Sequence, residues 1–312
     1  MKPRDRITQR LKLKDLLTLE AIAEQGSMAK AARQLALSQP AISKAIAEME
    51  HTLGVPLLER TTRGVHLTEF GTILRARGRV IFDELGEALG EIAHHADPST
   101  GEVRIGTTEP MAEVIASIVS RLSQQYPRIR YQVTMSDTGS LVRDLRARVF
   151  DVAITRWTYV PGQDDLDVDP LFQAALAVMA DRGHRMARKR GLRLADLMEE
   201  AWCLSPPDTY LGRIVSAAFH AEGLSLPTAT LTTVSIYMRL CLLAEGRFLT
   251  MLPRTMLLHP AVNTWLRALP LELPGPPGEI SAITMKGRRV NAATRLFIAA
   301  GHEVAADIAP RL

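Results

Sequence analysis

The chain has 312 residues, enough for two or three compact units, and its 46% hydrophobic and 23% charged residues are an ordinary balance for a soluble globular protein. No run approaches the roughly 20 apolar residues of a membrane span. Met1-Lys2-Pro3-Arg4-Asp5-Arg6 leads into no signal-peptide apolar region, so the chain is expected to stay in the cytoplasm. The formal charge is +4: Met1 to His66 holds eleven Lys and Arg against seven Asp and Glu, and the remaining 27 and 27 cancel. A basic excess confined to one segment is the footprint expected of phosphate contact.

Arg4 to Arg10 reads as a polar, basic leader. Leu13, Leu16, Leu17, Leu19, Ile22 and Ala23 mark a first helix, expected to brace a pair of shorter helices rather than to read DNA. Ser27 is a helix N-cap, and Ala31, Ala32 and Leu35 give the next helix a small apolar face ending near Ala36 and Leu37. Ser38 is a second cap, with Pro40 in the first turn, where its missing N–H has no intrahelical role. Ile42, Ile46, Met49 and Leu53 then share one buried stripe, which leaves Pro40, Ser43, Lys44 and Ala47 on the opposite face and Gln39 at the tip. Gln suits an adenine edge, Lys a phosphate, Ser either, and Pro and Ala a thymine methyl. Between Val55 and His66, Glu59-Arg60-Thr61-Thr62-Arg63-Gly64 fits a two-stranded wing turning at Gly64. Arg63 is placed for a phosphate or the minor groove, while Arg60 either touches DNA or fastens the wing by a salt bridge.

The run Gly26-Ser27, Ala31-Ala32, Leu35, Ser38-Gln39-Pro40-Ala41-Ile42-Ser43, Ile46, Glu50, Leu53-Gly54, Leu57, Arg60, Leu67-Thr68, Gly71 resembles the winged helix-turn-helix of LysR-type bacterial transcriptional regulators. Leu58 stands where that family usually has Phe, and Met49 where Leu is common; both keep an apolar side chain. The resemblance implies double-stranded DNA as partner, a promoter with an interrupted palindrome, and a homodimer or homotetramer. Gln39, Pro40, Ser43 and Lys44 are the expected readers, Arg63 a backbone contact, and Ser27 and Ser38 caps, with the Ser38 hydroxyl and Arg60 also within the DNA-facing set.

Thr68 is the expected cap of a long helix reaching about His95. Its positions Leu74, Gly78, Ile81, Leu85, Ala88 and Ile92 are spaced 4, 3, 4, 3 and 4, the alternation of a coiled-coil seam, for which a second copy of the helix is the simplest partner. Packing against the first domain is the other reading of the pattern. His94-His95 closes this helix, where the dipole favours a cation.

Residues 97–101 form a hinge by composition. Val103–Gly106, Ile129–Met135 and Asp151–Thr155 then read as strands, with helices over Met111–Tyr126 and Ser140–Val149, an order that predicts a parallel sheet covered by helices. A second such unit holds strands at Leu176–Ala180, Trp202–Ser205 and Ala229–Thr233, with helices near Leu194–Glu199 and over Leu211–Glu222. Ser235–Ala244 is helical, Phe248–Leu252 and Ile280–Met285 are strands, and Ala292–Ala306 is a closing helix. The fold class is therefore α/β overall: a winged helix-turn-helix at 1–67, a linker helix at 68–96, and a two-lobed domain at 102–312. Its first lobe takes 102–167 and 234–312, its second 168–233. This part resembles the LysR effector domain, similar to type 2 periplasmic binding proteins, on YPRIR, VRIGTT and VFDVAIT. Phe150 stands where the family commonly has Gly, a neutral change if the position faces solvent.

In open α/β sheets ligands sit beyond the carboxyl ends of the strands, near helix N-termini. That rule nominates Thr107, Thr108, Thr138, Ser140, Thr155, Arg156, Ser205, Thr209, Thr233 and Ser235. Hydroxyls and helix N-termini favour a small carboxylate or other polar metabolite, with Arg156 as counter-ion, whereas each hydroxyl alone could equally be a cap. Glu109 counts against an anion at the cleft mouth.

No cofactor, metal or catalytic residue is expected: GxSxG, a Gly-rich phosphate loop and HExxH are missing, and the eight histidines are scattered. Cys203 and Cys241, both in apolar runs and without CxxC, read as buried inert thiols. A DNA-binding architectural protein whose C-terminal part only oligomerises is the alternative reading, and an enzyme using the α/β lobes a weaker one.

Overall fold

The computed structural model describes residues 10–61, 64–97, 99–158 and 162–312, with the side chains at 60, 61 and 93–95 excepted. The basic leader before residue 10 therefore lies outside the described residues. Two compact units, Met1–Ala88 and Leu89–Leu312, divide the chain.

In the first unit, α1 (Leu13–Gln25) buries Leu16, Leu19 and Ile22 along one stripe and stops at Gly26, whose φ of 60° lets its N–H reach the Ile22 carbonyl at 2.9 Å. Ser27 caps α2 (Met28–Gln34), and Ser38 caps α3 (Gln39–Leu53), accepting from the Ala41 N–H at 3.3 Å. Leu19, Ile22, Ala31, Ile42, Ile46, Met49 and Leu57 close into one core. Each large side chain there contributes roughly 1.5–3 kcal/mol of burial. The wing is β1 (Leu58–Thr61) paired antiparallel with β2 (Gly64–Leu67), with Thr61 opposite Gly64. Gly64 takes a φ of 126°, and a Cβ there would stand 2.8 Å from the Gly26 carbonyl oxygen. The wing is fastened to α3 by Glu50, whose carboxylate accepts the N–H groups of Leu57 at 2.7 Å and Leu58 at 3.2 Å.

The long helix α4 (Glu69–Ala96) starts at Thr68, whose hydroxyl accepts the Gly71 N–H at 3.1 Å. Its expected seam divides. Leu74 packs on the core of the first unit, and Gly78 is buried with the Leu16 side chain 3.6 Å from where its Cβ would be. Glu20 of α1 also holds Arg75 and Arg79 at 2.9 and 2.6 Å. The first two seam positions thus serve intramolecular packing, because periodicity marks apolar positions without saying what covers them. Ile81 and Leu85 are 45% and 42% exposed, Ile92 is 66% exposed, and Ala88 is exposed.

In the second unit, β3 (Thr100–Thr107), β4 (Arg128–Met135) and β5 (Val152–Trp157) are parallel, as expected. The sheet is nonetheless mixed. β12 (Gly278–Met285) runs antiparallel to β5 and to β6 (Leu166–Ala174), a strand not expected from the sequence, giving the order β4-β3-β5-β12-β6. Helices α5 (Ala112–Gln125), α6 (Thr138–Arg146) and α10 (Ala292–Ile308) cover it. The second sheet is β7 (Leu176–Asp181), β8 (Ala201–Leu204), β9 (Ala229–Thr232), β10 (Phe248–Pro253) and β11 (Leu266–Ala268), in the order β11-β7-β10-β8-β9. With it go α7 (Tyr210–Ala221), α8 (Ile236–Leu243) and the short α9 (Pro260–Trp265). The expected lobe boundaries at 168 and 234 are therefore corrected. β6 keeps the chain in the first sheet to Ala174, and β10 pairs with β7 and β8, so the return comes between Ala268 and Gly278.

Two local expectations also change. Phe150 is buried, filling the space beside Gly106, where a Cβ would lie 2.5 Å from its ring. Cys203 is buried as expected, but Cys241 is exposed on α8. No described helix is long and apolar enough to cross a membrane.

Candidate functional site

The face of α3 away from the core presents Ser38, Gln39, Pro40 and Lys44 to solvent, while Ile42, Ile46 and Met49 fix the helix from behind. Among the described residues, Lys44 makes only a long contact, 3.9 Å, with Glu48, both strongly exposed. Such a pair contributes little and leaves the ammonium available to a phosphate. Ser43 is half-buried with its hydroxyl 3.5 Å from the Met28 sulfur, a weak contact that a better acceptor would displace. The Ser38 hydroxyl is engaged as the cap of α3. Arg63 lies outside the described residues, as does the side chain of Arg60; only the backbone pairing of Arg60 with Val65 is seen. The wing anchor Glu50 was missed as a contributor, because an acid seven and eight residues before its donor partners carries no local signal.

The second candidate site is a cleft of about 910 Å³ in the second unit, walled by residues of both sheets. Thr108, Thr138, Thr155, Arg156, Ser205 and Thr209 line it. Four other expected residues do not. Thr107 is fully buried, its hydroxyl donating to the Ile154 carbonyl at 2.8 Å. Ser140 donates its N–H to Asp137, the cap of α6. Thr233 accepts from the Ser235 N–H, and the Ser235 hydroxyl caps α8 by accepting from Met238 at 3.2 Å. These four residues were nominated because strand ends and helix starts coincide with cleft walls, and bonds to the sheet, to a turn and to helix starts engage them instead. Among the lining residues, Thr209 is also a cap, donating to Pro206 at 2.7 Å and accepting from Gly212. Thr138 and Thr155 bond each other at 3.3 Å.

Among the described residues, Glu109 and the Thr158–Tyr210 pair make hydrogen bonds across the cleft. The Glu109 carboxylate, on the first lobe, accepts the N–H groups of Ile236 at 3.1 Å and Tyr237 at 3.3 Å at the start of α8. Its charge is engaged by a helix terminus, so it is not the loose acid at the cleft mouth that the sequence suggested. Thr158 and Tyr210 share a hydroxyl bond of 3.0 Å.

The unusual groups in the cleft are two guanidiniums. Arg156, at the carboxyl end of β5, lies over Gly278, where a Cβ would come within 1.9 Å of its Nε; its buried Nη1 has no hydrogen-bond partner among the described residues. Burial lowers its pKa, with the Tyr210 oxygen acting weakly in the other direction. Arg239, on α8, is 1% exposed, and neither its Nε nor its Nη1 has a partner among the described residues. Burial lowers its pKa to about 10, against smaller opposing effects of Glu109 and Cys203. Arg239 was missed by the sequence reading, although an arginine inside IYMRLCLL, an otherwise apolar helix, is a signal that could have found it.

Comparison with known proteins gives the two units the same assignment. Residues 13–72 match the model of the bacterial regulatory helix-turn-helix proteins of the lysR family, and residues 96–306 match the LysR substrate binding domain. The chain is 31% identical over 249 residues to the HTH-type transcriptional regulator GbpR of Azospirillum brasilense, covering 79% of this chain and 73% of that protein. In fold it resembles full-length CbnR complexed with its target DNA, with a TM-score of 0.68 at 20% identity, covering 94% of this chain and 100% of that one. It also resembles the effector binding domain of QuiR in complex with shikimate, with a TM-score of 0.55 at 17% identity over 67% of this chain and 98% of that one. With the helix-turn-helix stretch and the two-lobed domain each matched along its own residues, this chain belongs to the LysR family of DNA-binding transcriptional regulators, which are not enzymes.

Proposed function

We propose that this regulator reads a promoter with an interrupted palindrome through α3 and answers to a small carboxylate bound between its two α/β lobes. Gln39, Pro40, Ser43 and Lys44 are the base and phosphate contacts, with Arg63 and Arg60 of the wing on the backbone and Ser38 holding the helix start. The exposed positions Ile81, Leu85, Ala88 and Ile92 form the dimer seam, and closure of the cleft alters the spacing of the two DNA-binding heads in a homodimer or homotetramer.

The observation that carries the effector half is Arg156: a half-buried cation with an unpartnered N–H, in a cleft lined by Thr108, Thr138, Thr155 and Ser205. A buried donor without an acceptor costs about 1–3 kcal/mol, and a carboxylate supplies the acceptor. The QuiR effector domain, similar in fold, holds shikimate, a hydroxylated carboxylic acid. Gel-shift titrations with matched and scrambled promoter sequences test the DNA half. Ser43→Ala and Gln39→Ala should narrow the preference for the matched site while leaving non-specific, salt-dependent affinity intact. An unchanged preference in both variants removes them from the reading set.

A further inference from the structure

A single carboxylate leaves part of this cleft unsatisfied. Arg156 approaches from β5 of the first lobe and Arg239 from α8 of the second, and both line the same cavity. Among the described residues, fully buried Arg239 has two unpartnered nitrogens and Arg156 has one. Truncating or orphaning a buried charge costs several kcal/mol, so two such cations in one cavity are arranged for anionic partners. Glu109 supplies only part of that charge, because its two oxygens accept from the α8 backbone at 3.1 and 3.3 Å, leaving the Arg239 Nε and Nη1 without an acceptor. The other cleft arginines differ: Arg146 is paired with Asp165 at 2.8 Å, Arg143 lies against Asp144, and Arg213 donates to the Asp208 carbonyl.

We infer that the effector is a dianion, a dicarboxylate or a phosphorylated compound, with one anionic group on Arg156 and the other on Arg239, so that the ligand ties the two lobes together. This rests on the reading that the effector binds between the lobes. Each arginine also has a positional device. Gly278 leaves room for the Arg156 guanidinium, and Arg239 sits one turn into α8, where helix packing holds it away from solvent. The dianion must therefore span from the carboxyl end of β5 to the second lobe, which makes affinity depend on chain length.

The test is calorimetric titration of the full-length protein with succinate, glutarate and adipate, each beside the monoacid of equal length (butyrate, valerate, hexanoate), and with glucose 6-phosphate beside glucose. At least one dianion should bind about 100-fold or more tighter than its singly charged or neutral counterpart, as expected for one added charge-assisted bond in a desolvated site. Arg156→Gln and Arg239→Gln should each lower that affinity about 10- to 100-fold, narrowing the gap between the dianion and its monoacid. Gly278→Ala, which displaces the guanidinium without removing it, should reproduce the Arg156→Gln loss and keeps the test independent of charge deletion. A preference for the dicarboxylate or for the sugar phosphate identifies which dianion fits. A monoacid that binds as tightly as every dianion overturns the inference and leaves the carboxylate reading standing, whereas a dianion indifferent to Arg156→Gln and Gly278→Ala overturns both. Absence of binding by either class overturns both.

Discussion

The bond between Glu109 and the start of α8 is the clearest mechanical link across the cleft, and Glu109→Gln isolates it. Glutamine keeps the shape and one acceptor oxygen, so the substitution removes the charge and one of the two bonds, at 3.1 and 3.3 Å. A hydrogen bond to a charged group contributes roughly 1.5–3 kcal/mol against 0.5–1.5 for a neutral one. An anion at a helix N-terminus adds about 0.3–1 kcal/mol. Glu109 is partly exposed, which scales these values down, and the expected loss is about 1–2 kcal/mol. For a unit the size of Leu89–Leu312, each kcal/mol moves the midpoint by about 2–4 °C, so scanning calorimetry should record a fall of about 3–6 °C in that transition. The ligand-free cleft should open more often as well, read as a change in the fluorescence of Trp157 on its wall. A midpoint within about 1 °C of the unsubstituted protein, with unchanged Trp157 emission, would refute the view that this carboxylate straps the lobes.

Three further outcomes rest on particular contacts. Ile81→Asp places a charge on the exposed stripe of α4 and should convert dimers to monomers in sedimentation; a variant that still sediments as a dimer removes the seam from the interface. Thr107→Val should cost about 0.5–1.5 kcal/mol by removing the bond to the Ile154 carbonyl, yet leave ligand affinity unchanged, since its hydroxyl faces the sheet and not the cleft. Glu20 is pushed up by burial, but the hydrogen bonds and charges of Arg75 and Arg79 outweigh this and hold it below 4.5. Its contribution is then complete above about pH 4.5 and is lost as the pH falls through the folded-state value, because the unfolded chain takes up the proton first. Glu20→Gln should flatten the acid limb of a denaturation profile of the first unit, and an unaltered limb would show that the ion pair contributes nothing there.

The first unit was legible because its signals are local. Ser27, Ser38 and Thr68 cap the helices they were expected to cap, and Gly26, Gly54 and Gly64 stand at positive φ where the chain turns. The strands β3, β4 and β5 were legible as well, being apolar runs separated by helical periods. What was lost depended on distant partners. β6 reads LDVDPLFQA, with a proline and two acids, and becomes a strand by pairing with β12 more than a hundred residues later. The same long-range pairing of β10 with β7 and β8 set the true lobe boundary. In the cleft, Arg156, Thr155 and Ser205 were nominated and do line the wall, whereas Thr107, Ser140, Thr233 and Ser235 were nominated by the same rule and are turned to caps or to the sheet. The sequence cannot separate a hydroxyl that closes a helix from one that faces a ligand, since both sit at the same chain position. Arg239 escaped for the opposite reason, a charged residue concealed in an apolar helix whose burial only the packed lobe reveals.

The central claim is that ligand in the cleft changes how the chain holds DNA, and footprinting on the DNA upstream of its own gene tests it most directly. With the dianion selected by calorimetry, the account predicts a sequence-selective, salt-dependent footprint whose extent changes on adding ligand in the unsubstituted protein but not in Arg156→Gln. Protection no stronger than on random DNA, or a ligand-induced change that persists in Arg156→Gln, would contradict it.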